Sequence, residues 1–249
     1  MDNPHLEIFT WFPFNSWKPP AIVLFLYIWF VLKAGPHFMR NRKPFDLQRV
    51  IMIYNLSLVL LNLCNVFMGY KILSTFSLKC QPTDFSNSPT ARLTWKMSWL
   101  VYCLKYIDLL DTIFFILRKK NNQVTPFHVF HHFIAPIYTG IIIYNQPGGQ
   151  SMMIGFLNSV VHALMYFYYF LAGLGAQYQK YLWWKKYLTQ IQIVQFVIIF
   201  VHSAQLHFIE CNYPMWLVNL NMAVSITFLY LFGKFYYKTY IRSNLKELR

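Results

Sequence analysis

The feature that most constrains this chain is the recurrence of long apolar runs, about seven of them, each close to the roughly 20 helical residues that cross a hydrocarbon core of about 30 Å. Their limits read as Trp17 to Leu32, Ile51 to Phe76, Met97 to Leu117, Phe127 to Tyr144, Met152 to Leu174, Leu188 to Ile209 and Met215 to Phe235. In lipid such segments satisfy their backbone polar groups only as helices, so the expectation is an all-α integral membrane protein. Turn residues separate the runs at Gly35-Pro36, Gln81-Pro82, Asn145 to Gly149 and Asn212 to Pro214. With 57% hydrophobic and 12% charged residues over 249, the chain is too apolar for a soluble domain. No repeat, low-complexity linker or second domain interrupts it, and residues 1–249 read as one polytopic domain.

Charge sets an expected orientation. Lys and Arg number 22 against 8 Asp and Glu, a formal net charge of +14. That balance suits anionic lipid head groups or a phosphate-bearing ligand. Nucleic acid is not an expected partner, because the basic residues sit in short loops and build no basic helix or sheet. By these boundaries about sixteen of them fall on one side: Lys33, Arg40, Arg42, Lys43, Arg49, Arg118, Lys119, Lys120, Lys180, Lys185, Lys186, Lys234, Lys238, Arg242, Lys246 and Arg249. The other side has about four, Lys18, Lys79, Arg92 and Lys96. The positive-inside rule then makes the C-terminus cytosolic and, with an odd number of spans, the N-terminus lumenal. Asp2 and Glu7 precede the first basic residue, Lys18, and no cleaved signal peptide is expected. Cys64 and Cys103 fall within spans, Cys80 and Cys211 in non-cytosolic loops, without any CxxC spacing. A lumenal environment permits a Cys80 to Cys211 disulfide; two unpaired thiols are the alternative.

Ionisable residues inside a span cost roughly 2.5 to 3.5 kcal/mol each on insertion scales, so each asks for a reason. In the third run, Lys105, Asp108, Asp111 and Thr112 of KYIDLLDT recur at three- and four-residue steps on one helical stripe. The fourth opens with His128, His131 and His132 in HVFHH, again on one face. Asn158 and His162 stand four apart in the fifth, with Tyr166 and Tyr169 continuing the row, and the sixth carries Thr189, Gln192, Gln195, His202 and Gln205. At about 1.5 Å per residue from the cytosolic ends, His131 and Gln192 lie about 6 Å deep, Gln195 and Asp111 about 9 to 11 Å, and Asp108 about 14 Å. Groups at overlapping depth are satisfied economically by lining one cavity. Plainer readings exist for several. A lone Asn158, His202 or Gln205 serves as an interhelical hydrogen-bonding group, Lys105 with Asp108 as a structural ion pair, and the tyrosines as packing aromatics. Three imidazoles within five residues of an apolar run have little structural use.

Two chemistries suit such a cluster. Neutral imidazoles ligate iron in membrane di-iron desaturases and hydroxylases, which use about eight histidines in three clusters where this chain has one. Alternatively an imidazole acts as nucleophile and as general acid or base on an acyl thioester. A seven-span receptor or transporter fits the span count but lacks DRY or NPxxY, and its polar groups would not concentrate at histidines.

KYIDLLDT, HVFHH, NSVVHALMYFYY and TQIQIVQ occur in the order and spacing of the signatures of the very-long-chain fatty acid elongases, the ELO family of 3-oxoacyl-CoA synthases. RKPFDLQRVIMIYN and QKYLWWKKYLT resemble the family's flanking cytosolic segments, so the resemblance covers nearly the whole chain. Two departures stand out. Asp108 occupies a position where the family usually has glutamate, and the tail NLKELR lacks the dilysine signal common in these proteins, so endoplasmic reticulum residence rests on the resemblance.

The resemblance implies spans two to seven forming a helical barrel around an acyl tunnel, with the first span outside. It implies long-chain acyl-CoA and malonyl-CoA as substrates, no metal or other cofactor, membrane lipid as surroundings, and other enzymes of the elongation cycle or a second copy of the chain as candidate protein partners. His131 is the expected nucleophile and His162 a helper. His128 and His132 would orient neighbours or stabilise oxyanions, and Asp108 and Asp111 would fix tautomers or position substrate. Lys105, Asn158, Tyr166, Tyr169, Thr189, Gln192, Gln195 and His202 are expected along the substrate, with CoA phosphates near Arg118, Lys119, Lys120, Lys185 and Lys186. Acyl length preference would be set by where the tunnel closes, each buried methylene contributing about 0.8 kcal/mol.

Overall fold

A computed structural model describes residues 10–11 and 16–242. Asp2, Glu7, Lys246 and Arg249, on which part of the charge reading rests, lie outside the described residues. Among the described residues there is no strand. The main helices are α1 (Lys18–Met39, with a π-helical turn at Phe30–Ala34), α2 (Gln48–Leu73), α3 (Pro89–Ile107), α4 (Leu109–Leu117), α5 (Pro126–Asn145), α6 (Met152–Gly173), α7 (Lys185–Ala204) and α8 (Met215–Tyr236). The chain is an all-α integral membrane protein, and large apolar side chains such as Phe25, Ile53, Leu60, Phe67 and Val201 stay more than half exposed, as lipid-facing groups do.

Among the described residues six helical segments are long and apolar enough to cross a bilayer, where the sequence predicts about seven. The difference lies at the expected Met97 to Leu117 span. There α3 ends at Ile107 and α4 begins at Leu109, so neither piece qualifies alone; α4 has nine residues, and α3 carries Arg92, Lys96 and Lys105. Asp108 joins them in a right-handed helical conformation. Its N–H still donates to the Leu104 carbonyl, while its own carbonyl accepts from Asp111 N–H one residue early, a local 3₁₀ tightening.

Side-chain caps set two helix starts. Ser88 Oγ accepts from Ala91 N–H and Thr125 Oγ1 from His128 N–H, each followed by proline at the first helical position, where the missing N–H costs nothing. The Thr125 cap fixes where HVFHH enters α5.

The described residues divide into two compact units, one within Met1–Ile51 and Asp84–Gly148, the other within Met52–Thr83 and Gly149–Arg249. In the first unit, Leu24, Tyr27, Val31 and Met39 of α1 pack with Leu109 and Ile116 of α4, flanked by Val129, Phe133 and Ile137 of α5. A second cluster joins Ala91, Trp95 and Tyr102 of α3 to Ile143 of α5. Here Gly140 lets α5 approach closely, since a Cβ at that position would stand 3.1 Å from the Tyr102 ring.

The second unit is built on α2, α6, α7 and α8. The buried stripe of α2 includes Asn55, Leu58, Asn62, Asn65, Gly69 and Ile72, and Asn65 Nδ2 donates to Ser159 Oγ of α6 at 2.7 Å. Phe196 of α7 stacks on Phe228 of α8 with centroids 5.1 Å apart. At one end, a disulfide joins Cys80 to Cys211, with Cα atoms 5.6 Å apart. Beside it, buried Gln150 accepts from Gln81 N–H and donates to the His202 carbonyl, and Ser151 Oγ hydrogen-bonds Tyr213 and accepts from Asn221.

Candidate active site

The first unit gathers most of the chemistry. His128 and His132, one helical turn apart on α5, have ring centroids 4.1 Å apart, and His131 meets His132 edge-on at 5.2 Å. His132 is buried; His128 and His131 are half-buried. Phe115 of α4 lies 5.3 Å from the His128 ring. Thr112, wholly buried, places its hydroxyl 2.9 Å from His128 Nε2 and 2.9 Å from the hydroxyl of Tyr27 on α1.

At the α3–α4 junction, Lys105 Nζ donates to Asp108 Oδ2 at 2.9 Å, both groups buried. His131 is close enough to feel both charges, so the histidine cluster and the ion pair share one neighbourhood. Asp111, half-buried on α4, is near enough to act on the Tyr27 hydroxyl. The KYIDLLDT and HVFHH stripes therefore come together within one unit.

The second unit holds the remaining candidates. His162 is buried on α6, with the ring of Tyr166 5.8 Å away; Tyr166 in turn meets Tyr54 of α2 and Tyr169 edge-on. Tyr169 itself is exposed and Asn158 is half-buried. On α7, Thr189 and Gln195 are buried and Gln192 Nε2 reaches Met165 Sδ of α6 at 3.7 Å. Gln205 Nε2 lies 3.1 Å from His202 Nδ1 and also donates to the carbonyls of Leu78 and His202, at 2.7 and 2.9 Å. Among the basic loop residues, Arg118 is half-buried and Lys119 and Lys120 exposed in the first unit, while Lys185 and Lys186 are exposed in the second.

Several participants are absent from the sequence reading. Tyr27 reads as one more span aromatic, and nothing in its spacing announces a hydrogen bond to Thr112. Asn55, Asn62 and Asn65 left a signal, three amides at helical steps inside an apolar run, but they do not ionise and so escape a search for charge. Among the described residues no three or more of His, Cys, Asp and Glu are grouped as metal ligands.

Chemically, the first unit offers clustered imidazoles with an adjacent buried cation and carboxylate. Such a set can present a neutral nucleophile, shuttle a proton and stabilise a developing oxyanion.

The model of the ELO, GNS1/SUR4 family matches residues 12–247. The chain is 43% identical over 250 residues to the very long chain fatty acid elongase 7 of Rattus norvegicus, covering 97% of this chain and 87% of the rat protein. It is 40% identical to the Drosophila melanogaster elongase 7 over 254 residues, 99% of this chain and 76% of the other. With the Homo sapiens elongase 1 it shares 43% identity over 229 residues, 89% and 81% of the two chains.

Proposed function

This chain belongs to the ELO, GNS1/SUR4 family, and from that premise we propose that it elongates fatty acyl chains as a 3-oxoacyl-CoA synthase, condensing long-chain acyl-CoA with malonyl-CoA. The observation that carries the reading is the clustering of the HVFHH imidazoles with His131 near enough to the buried Lys105–Asp108 pair to feel both charges.

In the proposed sequence a nitrogen of His131 bonds to the thioester carbonyl carbon, the C–S bond breaks, and the departing CoA thiolate takes the proton the imidazole loses. The acyl-imidazole keeps the acyl group activated, and an apolar site shields it from water. Malonyl-CoA then loses CO2, and the electron pair left at its C2 attacks the acyl carbon. The C–N bond breaks, the imidazole regains a proton, and 3-oxoacyl-CoA leaves. Lys105 is the nearby cation for a developing oxyanion, and Asp108 holds that cation in place. Residence in the endoplasmic reticulum membrane, with a lumenal N-terminus and a cytosolic C-terminus, completes the reading. The Cys80–Cys211 disulfide supports it, since such bonds persist on the oxidising side.

The test is acyl transfer to protein without malonyl-CoA, read by mass spectrometry on purified enzyme. An acyl adduct on the HVFHH segment, lost in His131→Ala, is the expected result. CoA release that requires malonyl-CoA would replace the covalent route with direct attack in a ternary complex.

A further inference from the structure

Two buried hydroxyls and a half-buried imidazole in the first unit form one hydrogen-bonded line, Tyr27 Oη to Thr112 Oγ1 to His128 Nε2, each step 2.9 Å. Tyr27 and Thr112 are almost or wholly without exposure. The proton arrangement follows from counting donors. Thr112 has one hydroxyl proton, and the Tyr27 hydroxyl has no other hydrogen-bond partner among the described residues. If His128 donated from Nε2, Thr112 would turn its proton toward Tyr27 and leave the tyrosine proton buried without an acceptor. If Tyr27 and His128 both donated, the threonine proton would be left over. Three donors share two bonds, so each assignment leaves one over, and the least costly leaves it on the half-buried His128 ring rather than on a buried hydroxyl: Tyr27 gives to Thr112, Thr112 gives to His128 Nε2, and His128 carries its proton on Nδ1.

We propose that Tyr27 and Thr112 are positioning residues that hold His128 as its Nδ1–H tautomer, with the Nε2 lone pair occupied. The inference deepens the acyl-transfer reading and rests on it for its kinetic consequence. His128 is thereby removed as a nucleophile at Nε2, and its ring becomes a fixed dipole 4.1 Å from His132, which in turn meets His131. The nucleophilic role falls to the neighbours. Helix α1, through Tyr27, takes part in ordering the site as well as packing on it.

Nitrogen-15 spectra of histidine-labelled protein in detergent, with His128 identified by its loss in His128→Gln, read the tautomer without any turnover. Wild type should show an unprotonated, hydrogen-bonded Nε2. Thr112→Val should shift population toward the Nε2–H form, and Thr112→Ser, which keeps the hydroxyl, should restore the wild-type signal. CoA release from acyl-CoA should slow about tenfold in Tyr27→Phe, the effect of losing one buried hydrogen bond. The double variant Tyr27→Phe, Thr112→Val should be no slower than Thr112→Val alone. An Nε2–H signal in wild type, or a signal unmoved by Thr112→Val, would overturn the relay. Failure of wild type to release CoA would instead sink the acyl-transfer reading, and the spectra would still decide the tautomer.

Discussion

Lys105 Nζ lies 2.9 Å from Oδ2 of Asp108, the single residue that separates α3 from α4, with both side chains more than nine-tenths buried. Removing one partner leaves an uncompensated charge, which costs about 3 to 5 kcal/mol at a buried pair. Asp108→Asn should therefore lower the midpoint of thermal unfolding in detergent sharply. Replacing both, as Lys105→Met with Asp108→Leu, should regain much of that stability but not activity. Retention of activity in the double variant would reduce the pair to a structural role.

Residues that are costly in lipid are legible in the sequence, and those that are cheap there are not. Three histidines, a lysine and two aspartates within spans stand out because a bilayer penalises them, and the first unit brings most of them together. Tyr27 carries no such penalty, so its bond to Thr112 emerges only from three-dimensional placement. The break at Asp108 is equally silent, because no proline or glycine marks it and the residue keeps helical dihedrals. Cysteine pairing was open for a different reason: loop topology permits a bridge without requiring it, and the Cys80–Cys211 bond is a matter of geometry.

The disulfide closes a sequence separation of 131 residues in the second unit. Constraining so long a loop stabilises by about 2 to 5 kcal/mol. Cys80→Ser with Cys211→Ser should lower thermal stability, and alkylation of wild type should detect two additional thiols only after reduction. Equal labelling with and without reductant would count against the bond.

Asp84 supplies a pH dependence outside the membrane. Burial pushes its carboxyl upward, but hydrogen bonds from Ser86 and Ser88 outweigh that and hold it below the usual carboxylate value. Oδ1 accepts from Ser86 N–H at 2.8 Å and Oδ2 from Ser88 Oγ at 3.0 Å; Ser88 Oγ in turn caps Ala91 N–H. A depressed folded-state value means the contribution is full above the unfolded-state carboxylate range and is lost as pH falls through the folded-state value. Hydrogen exchange at the first turn of α3, corrected for intrinsic pH effects, should thus lose protection in acid. Asp84→Asn should show the weaker protection at neutral pH and little further change on acidification.

Lys119 is the one described residue other than glycine with a positive φ, 55°, at the C-terminal end of α4. Its N–H donates to the Ile116 carbonyl and Lys120 N–H to Phe115, a helix-ending turn in which glycine is the usual occupant. The left-handed conformation costs an L-residue about 1 to 2 kcal/mol. Lys119→Gly should raise the unfolding midpoint despite losing the exposed 3.5 Å contact from Lys119 Nζ to the Arg40 carbonyl, and Lys119→Ala should not.

The α3–α4 path decides the orientation of everything after it. If α3 and α4 cross together, the loops at 40–47 and 118–125 share a side, and those at 74–88, 146–148 and 208–214 share the other. The first pair carries Arg40, Arg42, Lys43, Arg118, Lys119 and Lys120, whereas the second set carries Lys79 alone among Lys and Arg. By the positive-inside rule the proposed orientation puts the first pair in the cytosol. On that orientation Cys80 and Cys211 face the oxidising side, where a disulfide persists. Single cysteines introduced at Asn41, Asn121 and Ser86 in a background lacking the four native ones report the arrangement. In sealed microsomes an impermeant maleimide should label Asn41→Cys and Asn121→Cys at once, and Ser86→Cys only after permeabilisation. Labelling of Asn121→Cys and Ser86→Cys from the same side would mean that the broken helix turns back instead of crossing, and the six-span arrangement would then hold.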